Sequence, residues 1–361
     1  MRGMWDVFCR VIDNHGDLGV CLRLARQLVG RGVSVRLWVD DARALSWMAP
    51  DVAQGRVPGL QVLNWEWAKQ PQRLANEPLG EVWIEAFGCE LPSAFVAHGV
   101  HATAISGQAP PHWINLEYLS AERHAEQCHG LPSPVMSGAA KGWTKHFFYP
   151  GFTAATGGLL REDDLGEQWA AFDRLAHRKA LHPQITPQQR LYSLFCYEPA
   201  GLMPWLKSLR GTEHLLVTPG RAWAAVQQAV QAQGPGAGSC TALPYTDQDS
   251  FDRMLWACDL NLVRGEDSLV RALWAGQALV WHIYPQDDQA HHAKLQAFLD
   301  WLQAPESLRR FHAIWNGIES GHLPELTAST LACWSECIQA ARKRLWAQTD
   351  LVSQLMAFAN H

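Results

Sequence analysis

Residues 4–39 decide the fold: MWDVFC (4–9), RVIDNHGDLG (10–19), VCLRLARQLV (20–29), GRG (30–32) and VSVRLWV (33–39). The first six form a short apolar strand with Asp6 inside it, and the next ten a polar, glycine-containing loop. Val20, Leu24 and Leu28 share one helical face while arginines take the other, so 20–29 reads as an amphipathic helix. Gly30 and Gly32 end it, and 33–39 alternates like a strand. That is one strand–loop–helix–strand unit, the start of a doubly wound sheet.

Outward from there, further strands are expected at 82–87 and 112–117. Their carboxyl ends, 88–91 and 118–120, should line a crevice with the first loop. From 153 to 189 the chain is charged and punctuated by Pro and Gly, with one amphipathic stretch near 165–177, and reads as a connection. A second alternation follows. Strands at 190–196, 214–218, 240–243, 259–263 and 278–283 alternate with helices at 202–210, 222–232, 250–257, 269–275 and 289–302, with a loop at 234–239. Such alternation means parallel pairing with crossover helices. The tail, 331–358, is helical in pattern and expected to pack across both halves. The fold class is therefore α/β, two Rossmann-like domains facing a central cleft. Residues 1–175 make the first domain, 176–335 the second, and 336–361 a helix crossing back to the first.

Of the 361 residues, 48% are hydrophobic and 18% charged, which suits a large packed core and argues against disorder. The formal net charge of −5 offers no basic surplus for nucleic acid. Nine scattered Cys contain no C-x-x-C pair, so neither a zinc ribbon nor a thioredoxin-like motif is supported. Cys333 and Cys337, four apart, are at helical spacing and read as packing. The opening residues lack a signal-peptide core, and no run has the 18 or so apolar residues of a membrane helix. A reduced, cytoplasmic monomer without membrane or nucleic-acid partners is expected.

Five segments carry candidate chemistry. Asp13-Asn14-His15-Gly16-Asp17-Leu18-Gly19 lies between first strand and first helix, where α/β folds place ligands. It is no G-x-G-x-x-G fingerprint, and its two carboxylates would repel a pyrophosphate. The loop suits a group that donates protons or carries positive charge. Asp17, near the helix start, has the dipole favouring its ionised form, or is simply a cap with Asp13 a turn residue.

Arg264-Gly265-Glu266-Asp267-Ser268 stands between a strand and a helix. Gly265 permits a tight turn, Ser268 opens the helix, and Arg264 can clamp a diphosphate. Glu266 and Asp267 would cap the helix, orient Arg264 or bind sugar hydroxyls; the plain alternative is a charged cap with an internal ion pair. Tyr284 in Trp281-His282-Ile283-Tyr284-Pro285-Gln286 would reach the same crevice. His291 and His292 follow Asp287 and Asp288, but adjacent helical positions diverge and make a poor metal site. In Asp247-Gln248-Asp249-Ser250-Phe251 the two acids open a helix, as is ordinary, while Gln248 and Phe251 are candidates to bond and stack a nucleobase. Phe195-Cys196-Tyr197-Glu198 ends the first strand of the second half, and the 18 Trp read mostly as core or interface.

Taken together, FCRVIDNHGDLGVCLRLARQL, SLFCYE, DLNLVRGEDSLVRALWAG and WHIYPQDDQAHHAKLQAFL resemble the bacterial protein-arginine rhamnosyltransferases that act on translation elongation factor P, the EarP family. The match covers both halves in order. It implies a GT-B fold and an inverting enzyme moving L-rhamnose from dTDP-β-L-rhamnose to an arginine of the factor, with no cofactor and no metal. By the same resemblance Asp17 is the general base or orienting carboxylate, Asp13 supports the loop, and Asn14, His15, Gly16 and Asp17 contact the donor sugar. Tyr197, Gln248, Phe251, Arg264, Gly265, Glu266, Asp267, Ser268 and Tyr284 hold thymidine and diphosphate, with Glu266 essential. His15 stands where the family has an aromatic residue.

The residues themselves divide the labour in the same way: an acidic loop for a guanidinium, an arginine-bearing turn for phosphates. Domain closure would then exclude water. A glycosyltransferase with another nucleotide sugar or protein acceptor, and a non-catalytic sugar-nucleotide sensor, are the alternatives. A nicotinamide-dependent oxidoreductase lacks its glycine fingerprint here.

Overall fold

The computed structural model describes residues 2–11, 15–233, 239–286 and 289–360. The chain divides into two units, Met1–Glu162 with Gln348–His361, and Asp163–Ala347.

The first unit is built on seven strands: β1 (Arg2–Cys9), β2 (Val33–Val39), β3 (Leu60–Asn64), β4 (Val82–Ala86), β5 (His112–Leu116), β6 (Pro132–Pro134) and β7 (Thr144–Phe148). They lie in the order β3-β2-β1-β4-β5-β7-β6, every pair parallel except β6 with β7. Strand order reverses between β1 and β4, so the loop after β1 opens at the switch point where such sheets bind ligands. Asp6, fully buried in β1, is answered from β2: Arg36 donates Nε and Nη2 to its two oxygens at 2.7 Å, and Trp38 Nε1 donates at 2.7 Å. A buried charge survives only with such partners.

One sheet face packs on helix Gly16–Gly30 through Leu18, Leu22, Leu24 and Leu28. The other carries aromatic packing, with Phe8 stacked on Trp38 at 5.4 Å and Trp83 edge-on to Trp113 at 5.6 Å. Helix Ser93–Ser106 comes so close that a Cβ on Gly99 would lie 2.3 Å from the Trp83 ring. Trp38, Trp83, Trp205, Trp281, Trp315 and Trp334 are all fully buried, as core tryptophans should be.

The second unit has five parallel strands: β8 (Arg190–Leu194), β9 (Glu213–Val217), β10 (Ser239–Ala242), β11 (Leu260–Arg264) and β12 (Ala278–His282). Their order β10-β9-β8-β11-β12 puts a second switch point between β8 and β11. All five correspond to strands expected from sequence, displaced by a residue or two at their ends. Helix Arg174–Leu181 belongs here: Arg174 and Arg178 grip the Asp259 carboxylate at 2.7 and 2.8 Å. The first crossing between units thus falls before this helix, at 162/163 against the 175/176 read from sequence.

The tail is two helices. Ala328–Trp346 packs on β12 and stays with the second unit. Asp350 then caps a new helix, its Oδ1 accepting the Ser353 N–H at 2.9 Å. That helix, Leu351–Phe358, buries Leu351, Val352 and Leu355 in the first unit's core. Only the last turns cross back, from 348 rather than 336. Among the described residues no helix is long and apolar enough to cross a membrane, and all nine cysteines are free.

Candidate active site

In the first unit, β1 ends at Cys9 and the helix begins at Gly16, its first turn carrying Asp17. The His15 carbonyl accepts the Gly19 N–H at 2.9 Å, and its ring meets Trp47 edge-on at 5.8 Å. The position where an aromatic residue is expected therefore still packs on an aromatic partner. A Cβ at Gly16 would meet nothing within 4 Å. Beyond β1, Val11 N–H donates to Asp40 Oδ1 at 2.9 Å, tying the loop to the end of β2. Arg43 holds the neighbouring Asp41 carboxyl down at about 2. The Cys21 thiol, burial and the charges of Asp17 and Asp40 all push the Cys9 thiol upward. The edge thus carries the carboxylates of Asp17, Asp40 and Asp41, with Arg10 4.0 Å from Asp40 and Arg43 2.6 Å from Asp41. Asp13 and Asn14 lie outside the described residues.

The second unit brings the other expected residues to one edge. Phe195 and Tyr197 continue β8: Phe195 N–H donates to the Leu262 carbonyl at 2.8 Å, and Tyr197 N–H to His282 Nδ1 at 3.2 Å. The Arg264 guanidinium, at the end of β11, lies over both rings, 4.5 Å from Phe195 and 4.7 Å from Tyr197, and donates to the Cys196 carbonyl at 3.3 Å. Phe251 meets Phe195 edge-on at 5.6 Å. A positive charge is thereby fixed on an aromatic shelf, where cation–π attraction and desolvation strengthen it.

After Arg264 the chain turns at Gly265, whose φ of +67° only glycine adopts cheaply. Trp281 Nε1 donates to the Gly265 carbonyl at 2.7 Å and fixes the turn. Helix Asp267–Ala275 begins here. The Ser268 hydroxyl is committed to the Arg264 carbonyl, so what this turn can offer an anion is the set of backbone N–H groups that no helical bond uses. Glu266 stands at the N-cap but makes no side-chain cap, while Lys294 holds it at 2.5 Å, so the internal ion pair of the plain alternative is present and its capping bond is not. Tyr284, 45% exposed, meets Tyr197 edge-on at 5.6 Å.

Gln248 opens helix Gln248–Ala257, and Asp247 caps it by accepting the Ser250 N–H at 2.7 Å. Asp247 is therefore occupied as a cap, the bland reading of the acidic pair. A buried ion pair, Arg271 with Asp252 at 2.7 Å, joins this helix to helix Asp267–Ala275, so Phe251 and the Arg264–Ser268 turn are held as one piece. Asp287 and Asp288 lie outside the described residues. Among the described residues no group of three His, Cys, Asp or Glu could hold a metal ion. Two participants escaped the sequence reading: Lys294, and Arg221, whose guanidinium lies 5.0 Å over Tyr197. Each meets its partner across more than twenty residues, which leaves no local signature.

A family model described as elongation factor P (EF-P) rhamnosyltransferase EarP matches residues 5–360. The chain belongs to the EarP family. It is 43% identical to the protein-arginine rhamnosyltransferase of Pseudomonas putida over 99% of both chains. It also matches a solved structure described as the structural basis for EarP-mediated arginine glycosylation of translation elongation factor EF-P. That match has 30% identity and a TM-score of 0.65, over 99% of both chains. The spinosyn rhamnosyltransferase SpnG shares the fold alone, at 11% identity and a TM-score of 0.50 over 100% of both chains. The architecture is the GT-B fold. The family makes the chain a glycosyltransferase that rhamnosylates protein arginine.

Proposed function

We propose that the chain transfers L-rhamnose from dTDP-β-L-rhamnose to an arginine of elongation factor P by single displacement with inversion, in the cytoplasm, as a monomer and without a metal ion. The observation that carries the donor half is the Arg264–Ser268 turn. It offers a guanidinium held on two aromatic rings, a glycine turn pinned by Trp281 and a helix N-terminus, beside Phe251.

A guanidinium is protonated at neutral pH and a poor nucleophile. In the reaction, a guanidinium nitrogen attacks the anomeric carbon from the face opposite the nucleotide. The new C–N bond forms as the C–O bond to the diphosphate breaks, and Asp17 orients the guanidinium and accepts the proton released. The β donor becomes an α-linked rhamnosyl arginine. Asp13 supports the acidic loop, and Asn14, His15 and Gly16 address the sugar. Arg264, Tyr284 and the backbone N–H groups from Gly265 to Ser268 meet the charge that develops on dTDP. Phe251 and Gln248 hold thymine, Tyr197 supports the shelf, and Glu266 and Asp267 bond hydroxyls of the donor.

The test is the intact mass of elongation factor P after incubation with this protein and dTDP-β-L-rhamnose. A gain of one deoxyhexose on arginine, absent with Asp17→Asn, is expected. No gain while dTDP still binds would refute the acceptor and leave the donor site standing.

A further inference from the structure

The ring of Tyr197 carries two guanidinium groups. Arg264 reaches it from the end of β11, and Arg221 from the first position of helix Arg221–Gln233, just beyond β9. With their carbons 4.7 and 5.0 Å from one centroid, the two cations stand within about 10 Å of each other on either side of the β8 strand end. Both repel a proton from His282, which burial first of all holds neutral. Arg221 is also gripped by Glu198 through two hydrogen bonds of 2.9 and 2.6 Å. That pair is 41% and 54% exposed. An ion pair so open to water adds little to folding stability, yet it keeps a long side chain aimed along the edge that carries the phosphate turn.

We propose that Arg221 is a second guanidinium for the donor's diphosphate, parked on Glu198 until the ligand enters and exchanging that carboxylate for a phosphate oxygen. The proposal rests on the nucleoside-diphosphate-sugar reading above. Glu198 is then a competitor of the ligand, and its removal should help binding while removal of Arg221 harms it. A merely structural ion pair loses the same thing from either side.

The experiment titrates dTDP into the full-length wild type and into Arg221→Gln, Arg221→Lys and Glu198→Gln, with thermal unfolding of each to show the fold intact. Arg221→Gln should weaken dTDP about tenfold, the scale of one charge-assisted contact, with partial recovery in Arg221→Lys. Glu198→Gln should bind about as tightly as wild type or up to roughly threefold tighter. Weakening by both substitutions, or no weakening by Arg221→Gln, overturns the role of Arg221 and leaves the donor reading in place. A wild type that binds no dTDP overturns both.

Discussion

The ion pair between Arg271 and Asp252 sets how firmly the edge with Phe251 and the Arg264–Ser268 turn is held, and Asp252→Asn probes it. Asp252 is 5% exposed and Arg271 2%, so the substitution leaves a guanidinium in the interior without its carboxylate. Breaking one side of such a pair costs about 3–5 kcal/mol. For a unit of this size each kcal/mol moves the midpoint by about 2–4 °C, giving a fall of roughly 6–20 °C. Thermal unfolding with and without dTDP is the assay, because ligand raises the transition of the unit that binds it and so marks the one to follow. Affinity should fall as well, since the pair joins the helix of Phe251 to the helix of Ser268. The double variant Asp252→Leu with Arg271→Met removes both charges and should recover most of the stability. A midpoint loss under about 2 °C in Asp252→Asn, or a double variant as unstable as the single one, would refute the reasoning.

Asp17→Asn should lower the transfer rate about 10²–10⁴-fold with dTDP affinity unchanged; a rate within threefold of wild type removes Asp17 from the base role. Phe251→Ala should raise the Michaelis constant for the donor before it changes turnover, by roughly tenfold if base stacking of about 1–3 kcal/mol is lost, and a normal constant contradicts the stacking. Acid should destabilise the second unit through two buried neutral imidazoles. Burial holds His282 at about 3 and His312 at about 4. His312 Nε2 accepts the Trp281 N–H at 2.9 Å and His282 Nδ1 that of Tyr197. Their folded values lie below the unfolded 6.5 or so, so the unfolded chain binds more protons between about 4 and 6.5 and stability falls as pH drops through that window. At pH 5 the two groups together cost about 4 kcal/mol. Urea midpoints at pH 7 and pH 5 measure it, and an equal or higher midpoint at pH 5 is the contrary result.

The alternation of strands and helices was legible because parallel strands are covered on both faces and write themselves as apolar runs. Three strands of the first unit were not: the edge strands β3, half-exposed LQVLN, and β6, Pro-Ser-Pro, and β7 beside β6, which carries Lys145 and His146, all weak apolar signals. The tail's periodicity runs through its break, which only the Asp350 cap betrays, an acid three residues before Ser353. Site residues on turns after strands could be found from their place in the unit. The support beneath them could not: Trp281 under Gly265, Lys294 on Glu266 and Arg271 on Asp252 are pairings of tertiary structure, invisible to spacing along the chain.

Because Leu351, Val352 and Leu355 complete the core that Val7 and Leu22 begin, a domain opened early in synthesis is finished by residues made more than 300 positions later. During synthesis, at about 5–20 residues per second, the segment 163–347 leaves the ribosome as a contiguous stretch able to close its own sheet. The sheet begun by β1 must meanwhile wait with an uncovered apolar patch for helix Leu351–Phe358 to arrive. The nascent chain therefore has a built-in order of maturation, with the segment that would hold the sugar nucleotide ready before the acidic loop's own domain is sealed. A truncation before residue 351 should be recognised in the cell as an incomplete product, even though every strand among the described residues is present.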